Sequence, residues 1–164
     1  MRQALVAANE ARERGEVPVG CCLVVGDTIL AVAGNRTRTD EDPTAHAEIV
    51  ALRAAAAKVG NYRLTEAVVY STIEPCVMCA GALIQARVSK LVYGARDERA
   101  GAVESHFRVC DTDFLNHRIT VTAGVLEAEC RELMQEFFRA RRGPGSRMSD
   151  ADVSRRLSES GNLG

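Results

Sequence analysis

Two short segments carry the residue types that hold and use a metal ion. The first contains His46 and Glu48, and the second contains Cys76 and Cys79. The two cysteines are three residues apart, so on a helix they share one face and both thiolates can reach the same ion. One imidazole and two thiolates suit zinc. Three protein ligands leave the fourth tetrahedral position open, which is typical of a catalytic zinc site.

Glu48 favours a hydrolytic metal over a structural one. A glutamate beside such a metal can take a proton from water and deliver it to the substrate and the leaving group. Taken alone, Glu48 fits better as a first-turn acid that complements a helix dipole, and its combination with His46 and the cysteine pair favours the role in hydrolysis. A closed structural site also stays open as an alternative, and its fourth ligand would come from His106, Cys110, His117 or Cys130.

The elements that must position these residues follow from the hydrophobic pattern. Helical periodicity and β-branched runs predict helices at residues 2–14, 44–59, 75–87 and 125–142, and strands at residues 19–25, 28–33, 67–72, 90–93 and 119–123. The Gly26-Asp27 turn predicts an antiparallel hairpin. The later alternation of strands and helices predicts parallel pairing through right-handed crossovers. We therefore expect an α/β fold, a three-layer α/β/α sandwich with a mixed sheet of about five strands.

This arrangement predicts where the candidate ligands lie. His46 opens the second helix, and Cys76 and Cys79 lie in the first turn of the third. In a parallel βαβ unit the helices begin at the same edge of the sheet. We therefore expect the three side chains to converge there, where the positive end of a helix dipole favours thiolate.

Composition excludes several classes of protein. The chain has 164 residues and a mass of 17.7 kDa, with 46% hydrophobic and 26% charged residues, which excludes a disordered, collagen-like or coiled-coil chain. Six cysteines without a secretion signal predict thiols or metal ligands rather than disulfides. No apolar run approaches the roughly 18 residues of a membrane span, so we expect a cytoplasmic protein without a membrane partner. Residues 1–142 are predicted to form one domain, followed by a flexible polar tail at residues 143–164.

The two motifs are similar to those of known enzymes. His46-Ala47-Glu48 and Pro75-Cys76-x-x-Cys79 resemble the zinc-dependent nucleoside and nucleobase deaminases. Further segments resemble the bacterial tRNA-specific adenosine deaminases, so that the likeness covers roughly residues 2–142: residues 16–20, 35–36, 42–49, 61–64, 74–81, 93–97, 115–118 and 137–139. Histidine in the first motif, in place of cysteine, separates the chain from the small free-cytidine deaminases.

The resemblance implies a fold, an activity and a set of roles. It implies a cytidine deaminase-like homodimer with one Zn²⁺ per subunit, which binds a tRNA anticodon stem-loop and converts the wobble adenosine of an arginine tRNA to inosine. It assigns His46, Cys76 and Cys79 to zinc and Glu48 to proton transfer. It assigns to substrate binding Asn35 at the flipped adenine, Val17 beside it, the backbone around Ala47, Glu74 and Pro75, Asp97 at the ribose, and Phe138, Arg139, Arg141 and Arg142 near the anticodon backbone.

Simpler interpretations accompany several of these residues. Asn35 could cap a turn, the terminal arginines could complement a helix dipole, and at least one of Phe137 and Phe138 is expected in the core. Glu104 departs from the family pattern, and a carboxylate in an RNA-facing loop would repel phosphate. Two other functions remain: deamination of a free base or nucleotide, such as guanine or cytosine, and a non-enzymatic zinc-stabilised binding module, against which Glu48 argues.

Overall fold

The computed structural model describes residues 1–141, so Arg142 and the tail predicted at residues 143–164 lie outside the described residues. The elements follow the predicted order, with modest shifts in their bounds. The helices are α1 (Arg2–Glu13), α2 (Ala47–Val59), α3 (Val77–Gln85) and α4 (Glu127–Arg141). The strands are β1 (Gly20–Val25), β2 (Thr28–Gly34), β3 (Val68–Ile73), β4 (Lys90–Ala95) and β5 (Thr120–Thr122).

The five strands form one mixed sheet in the order β2-β1-β3-β4-β5. The antiparallel hairpin of β1 and β2 is confirmed, with Gly26 and Asp27 between the strands. The predicted parallel pairing is confirmed for β3 with β4, and β5 is also parallel to β4. Strand β1 is antiparallel to β3 and lies between β2 and β3. The connection through α2 therefore passes over one intervening strand.

Helices cover both faces of the sheet, which confirms the three-layer sandwich. Helix α1 packs against β1 and β2, and α4 packs against β4 and β3. Gly20 and Gly94 allow these close approaches, since a Cβ atom at Gly20 would collide with the Ala4 carbonyl and one at Gly94 with the Cys130 sulfur. Helices α2 and α3 contact each other and cover the opposite face. The largest fully buried apolar side chains there are Leu23, Val69, Leu83, Leu91 and Tyr93.

Two helices begin later than the sequence pattern indicates, and the difference bears on function. Helix α2 begins at Ala47 with His46 as its N-cap, and α3 begins at Val77 with Cys76 as its N-cap. Both capping residues are extended, with ψ angles of 153° and 174°. The chain turns into each helix at a candidate metal ligand, so both ligands lie at the same edge of the sheet.

The connection between β4 and β5 is mostly irregular, as predicted, but it contains a short 3₁₀ turn at Val109–Asp111. Within it, Gly101 forms an isolated antiparallel bridge with Cys76. This connection therefore contacts one of the candidate metal ligands. In the described part of the chain, no helix combines the length and apolar character needed to cross a bilayer.

Candidate active site

His46, Cys76 and Cys79 converge as the sequence predicts. The Nδ1 atom of His46 lies 3.6 Å from the sulfur of Cys76 and 3.6 Å from the sulfur of Cys79. All three ligand atoms lie within 4.8 Å of one another. Tetrahedral zinc with its usual bond lengths places a nitrogen and a sulfur ligand about 3.6 Å apart. The donor set and its spacing therefore fit one zinc ion.

The surroundings of Cys76 favour its thiolate form. A hydrogen bond from Cys79 and another from His46 lower the pKa of Cys76 to about 4, although partial burial opposes the shift. The same contact with Cys76 raises the pKa of His46. A zinc site requires deprotonated cysteine ligands. The cluster therefore presents one thiol that is already disposed to bind metal.

The four residues considered for a closed structural site lie apart from this cluster. Among residues 1–141, the group that could hold a metal contains His46, Cys76 and Cys79 and no fourth member. A ring nitrogen of His106 contacts the Glu98 carbonyl at 2.7 Å, and one of His117 contacts the Val88 carbonyl at 2.8 Å. Cys110 and Cys130 are buried free thiols. The three-ligand arrangement favours an open, catalytic site.

Glu48 lies next to the cluster and is almost fully buried, with 2% of its surface exposed. Its carboxylate accepts hydrogen bonds from the Ser71 hydroxyl at 3.1 Å and from the Cys79 thiol at 3.4 Å. Burial raises the pKa of Glu48 above its ordinary value, because these few donors do not replace the lost water. A carboxylate in this place can exchange a proton with a molecule held beside the cluster.

The cluster opens into a cavity of about 640 Å³. Small-molecule sites commonly enclose roughly 300–1,000 Å³, so one nucleoside fits and a duplex does not. Eight of the residues singled out in the sequence line the cavity: Val17, Asn35, His46, Glu48, Glu74, Cys76, Asp97 and Phe138. Of the remaining described ones, Cys79, Ala47 and Pro75 are buried close by, and Arg139 and Arg141 are not part of the lining.

Asn35 is tied to the first residue of helix α2. Its Oδ1 atom accepts a hydrogen bond from the Ala47 backbone N–H at 2.8 Å, so it satisfies a free donor at the helix start. The simpler interpretation as a capping residue is therefore correct as far as its oxygen is concerned. The contact also fixes the orientation of the side chain and leaves the amide NH₂ for the cavity that Asn35 lines.

Two further buried carboxylates each bind a segment that contributes residues to the cavity lining. Glu74 accepts hydrogen bonds from residues in the 97–105 segment, and Glu16 accepts them from residues in the 37–39 segment. From the sequence, only the backbone of Glu74 is expected to have a role, and Glu16 is expected to have none. The donors to Glu16 lie 21–23 residues further along the chain, so no local pattern points to it.

Comparison with known proteins agrees with this geometry. The sequence pattern described as MafB19-like deaminase matches residues 1–142. A tRNA-specific adenosine deaminase of Haemophilus influenzae is 46% identical over 87% of this chain and 83% of its own length. One of Agrobacterium fabrum is 46% identical over 87% of this chain and 93% of its own length. The chain belongs to the tRNA-specific adenosine deaminase family.

Solved structures place this deaminase within a wider group. A structure from a study of A-to-I editing by tRNA:A34 deaminases matches with a TM-score of 0.79 and 46% identity, over 81% of this chain and 96% of that one. A guanine deaminase from Nitrosomonas europaea matches with a TM-score of 0.67 and 27% identity, over 82% of this chain and 80% of that one. The fold is shared, and the similarity to the tRNA deaminase is clearly greater.

Near the end of helix α4, Phe137 packs in the core and Phe138 lines the cavity. Phe137 is buried, which confirms that at least one of the two phenylalanines is a core residue, and its ring meets that of Phe138 edge-on at 5.4 Å. Phe138 is half-buried and lines the cavity. The Arg141 guanidinium lies 4.3 Å from the Phe137 ring centre and donates to the Gly15 carbonyl at 2.6 Å. Arg139 is exposed.

Glu104 does not present a free carboxylate in the deaminase. It accepts hydrogen bonds from the Tyr93 hydroxyl at 2.6 Å and from the Arg96 guanidinium at 2.9 Å. The burial of Tyr93 and its contact with Glu104 together raise the pKa of that phenol. Arg96 therefore offsets the charge of Glu104, and the repulsion of RNA phosphate expected from the sequence stays a prediction.

Proposed function

We propose that this deaminase hydrolyses the wobble adenosine of a tRNA anticodon to inosine, with one Zn²⁺ per subunit bound by His46, Cys76 and Cys79. The observation that carries the proposal is the position of Glu48 beside an open three-ligand cluster, at the bottom of a cavity sized for one nucleoside. A base must leave its stack to enter such a cavity, which costs less in a loop than in a duplex. An anticodon loop is therefore a suitable substrate.

Glu48 moves the protons of the reaction. A zinc ion held by His46, Cys76 and Cys79 would lower the pKa of a water bound to it from about 15.7 toward about 7. Glu48 takes one proton from the attacking water and passes it to the amino group at adenine C6. The new C–O bond replaces the broken C–N bond, so adenosine and water give inosine and ammonia. The Ser71 hydroxyl holds the carboxylate in place during both transfers.

The cavity walls bind and orient the base. The amide NH₂ of Asn35 donates to a ring nitrogen of adenine, while its oxygen stays bonded to Ala47. Ala47 thus acts through Asn35, and the buried backbone at Glu74 and Pro75 supports the opposite side. Val17 and Phe138 offer apolar surface to the base and exclude water from it.

The cavity mouth meets the rest of the RNA. Asp97 lies at the ribose and the neighbouring nucleotides, and exposed Arg139 contacts the anticodon phosphates. Arg141 is already engaged by Gly15 and Phe137, so its role is to support the helix end that carries Phe138. Arg142, assigned to the same backbone contact, lies outside the described residues. As the resemblance implies, the substrate is an arginine tRNA in the cytoplasm and the enzyme is a homodimer.

Deamination of free guanine is the second candidate, because the fold matches a guanine deaminase with a TM-score of 0.67. The same chemistry of water, carboxylate and metal ligands serves either substrate. Residues outside the cluster must therefore discriminate, and exposed Arg139 favours a polyanionic substrate.

The test uses the purified, zinc-loaded chain and several substrates in parallel. These are an arginine anticodon stem-loop with wobble adenosine, free adenosine, adenine, guanine and cytosine. Mass spectrometry detects the gain of about 1 Da when an amine becomes a carbonyl. We expect conversion in the stem-loop. Conversion of a free base with the RNA unchanged would assign the enzyme to nucleobase deamination instead.

A further inference from the structure

The Glu74 carboxylate gathers donors from one wall of the active-site cavity. Its Oε1 atom accepts hydrogen bonds from the backbone N–H groups of Val103, Glu104 and Ser105, at 3.1, 2.7 and 2.9 Å. Its Oε2 atom accepts from the Asp97 N–H at 3.2 Å and from the Ser105 hydroxyl. Only 1% of the Glu74 surface is exposed. Five donors from residues 97–105 thus occupy the acceptor sites of the carboxylate, so it does not contact the substrate.

Residues 97–105 also make hydrogen bonds with the backbone of the loop that carries Cys76. Gly101 bridges Cys76, and the Ala102 N–H donates to the Pro75 carbonyl at 2.9 Å. Gly101 has no room for a side chain, because a Cβ atom would lie 2.5 Å from the Asp97 carbonyl and against the Glu74 carboxylate. Residues 97–105 and the loop that carries Cys76 therefore form one unit with Glu74 at its centre.

The part of this unit that lines the cavity, residues 96–100, is a turn stabilised by hydrogen bonds within it. The Asp97 carboxylate accepts from the backbone N–H groups of Arg99 and Ala100, at 2.9 and 3.2 Å. Residues 96–100 line the cavity, and four of these five are exposed at its mouth. Three of the four exposed residues, Arg96, Glu98 and Arg99, carry charged side chains. The bond from the Asp97 N–H to Glu74 anchors this turn to the protein interior.

We propose that Glu74 is a positioning residue that sets the affinity for the nucleotides flanking the target adenosine, by holding the turn at residues 96–100 against the cavity mouth. This rests on the proposed RNA substrate. Its action is indirect, since the substrate touches the turn and not Glu74. A residue that supported only the fold, or only the metal site, would not affect binding of the flanking nucleotides selectively.

The variant Glu74→Gln separates these roles because it keeps the size of the side chain. The amide oxygen of the glutamine can take the place of Oε1 and still accept from the N–H groups of residues 103–105. The amide NH₂ then faces the Asp97 N–H donor to donor, so only the turn is released. Amide hydrogen exchange should show faster exchange at Asp97, Arg99 and Ala100, with residues 103–105 still protected.

Steady-state kinetics on the anticodon stem-loop give the functional test. We expect KM to rise about tenfold or more in Glu74→Gln, because the released turn loses contacts to the flanking nucleotides that bind the ground state and the transition state equally. We expect kcat to change less than about threefold and the zinc content to stay at one ion per chain. An unchanged KM, or a loss of kcat that parallels a loss of zinc, would overturn the positioning role.

A milder pair of variants covers the case in which Glu74→Gln does not fold. Ser105→Ala removes one hydroxyl donor to Glu74, and Ser89→Ala removes a hydroxyl that donates to the Ala67 carbonyl at 2.9 Å, near the start of β4. We expect a raised KM for Ser105→Ala alone, and equal effects from both would contradict the proposal. A wild-type protein that leaves the stem-loop unchanged would refute the proposed function, and the exchange measurement would then report separately whether Glu74 holds the turn.

Discussion

Glu48 and Glu74 are two buried carboxyl groups that line one cavity, and their pKa values are shifted in opposite directions. They are 2% and 1% exposed, so their access to solvent is nearly the same. Burial alone raises the pKa of both. At Glu48 the burial effect prevails, whereas at Glu74 hydrogen bonds from Ser105, Glu104 and Asp97 outweigh it and lower the pKa.

The difference lies in the number of donors and their source. Glu48 accepts from one hydroxyl and one thiol, and Glu74 accepts from four backbone N–H groups and one hydroxyl. A carboxylate with few donors can give and take protons, whereas one saturated by backbone N–H groups stays ionised and fixes the chain around it. Burial of an acid therefore does not by itself identify a catalytic residue.

Glu16 repeats the Glu74 arrangement at a second segment, residues 37–39, of which Thr37 lines the cavity. It is fully buried and accepts from the backbone N–H groups of Arg38 and Thr39 and from the hydroxyls of Thr37 and Thr39. Burial raises its pKa, but the bonds from Thr39, Thr37 and Arg38 outweigh that effect and lower it. Glu16 has half as many backbone donors as Glu74 and no link to a metal ligand.

The largest expected effect is the loss of turnover in Glu48→Gln. The amide keeps the shape and the contact with Ser71 but cannot carry a proton, so we expect kcat to fall by about 10²–10⁴-fold. Zinc content and the free energy of unfolding should stay close to wild type, the latter within about 1 kcal/mol. Stem-loop kinetics, metal analysis and urea unfolding check this. Preserved turnover would remove Glu48 from the chemistry and with it the contrast between the two carboxylates.

The next effect is on stability and separates Glu74 from Glu16. In Glu74→Gln the Asp97 N–H loses its acceptor, at a cost of about 1–3 kcal/mol. In Glu16→Gln the amide oxygen can still accept from both backbone N–H groups, since Arg38 and Thr39 donate to the same oxygen. We therefore expect the larger loss for Glu74→Gln. Urea unfolding of the two variants and the wild type, all zinc-loaded, measures the difference. Equal losses would show that the number of backbone donors left without an acceptor does not set the cost of such a replacement.

Acid should weaken the two walls together. A carboxyl group whose pKa is lowered by folding stabilises the protein above its unfolded pKa of about 4.3, and this stabilisation is lost as pH falls through the lower folded value. We therefore expect wild-type stability to fall more steeply below about pH 5 than that of a Glu16→Gln, Glu74→Gln double variant. Unfolding free energies between about pH 7 and pH 3 test this, since proton competition for the zinc ligands is common to both proteins. Parallel curves would contradict it.

Local pattern predicts much of this molecule. The Gly26-Asp27 turn and the helical spacing in α4 each report structure within a few residues, and both are confirmed. The side chains of the two ligand motifs converge as expected, and their binding of a metal stays a prediction. The adjacency of β1 and β3 is different, since helix α2 and strand β2 separate them in sequence and no local signal sets their order. Helix starts at Ala47 and Val77 depend on tertiary contacts of the capping residues, such as the bridge from Cys76 to Gly101.

The roles of Glu74 and Glu16 could not be predicted from the sequence, for the same reason. Donors to Glu74 lie 23–31 residues away and consist mainly of backbone N–H groups, which every residue except proline carries. The contact with Glu74 therefore places little constraint on the side-chain types at residues 97–105. Gly101 is the exception, because its lack of a Cβ atom is required, and its neighbours in sequence do not reveal why.

The smallest effect distinguishes the two oxygens of Glu16. Oε1 accepts from three groups, the N–H of Arg38 and both the N–H and the hydroxyl of Thr39, whereas Oε2 accepts from the Thr37 hydroxyl at 3.1 Å. Thr39→Val leaves Oε1 with two donors, and we expect a loss of about 0.5 kcal/mol. Thr37→Val removes the donor to Oε2, so its loss should approach about 1.5 kcal/mol. Both changes preserve side-chain shape, and urea unfolding resolves them. The reverse order would mean that water serves Oε2 as well as Thr37 does, and that the Thr39 hydroxyl contributes to Oε1 despite the two backbone donors there.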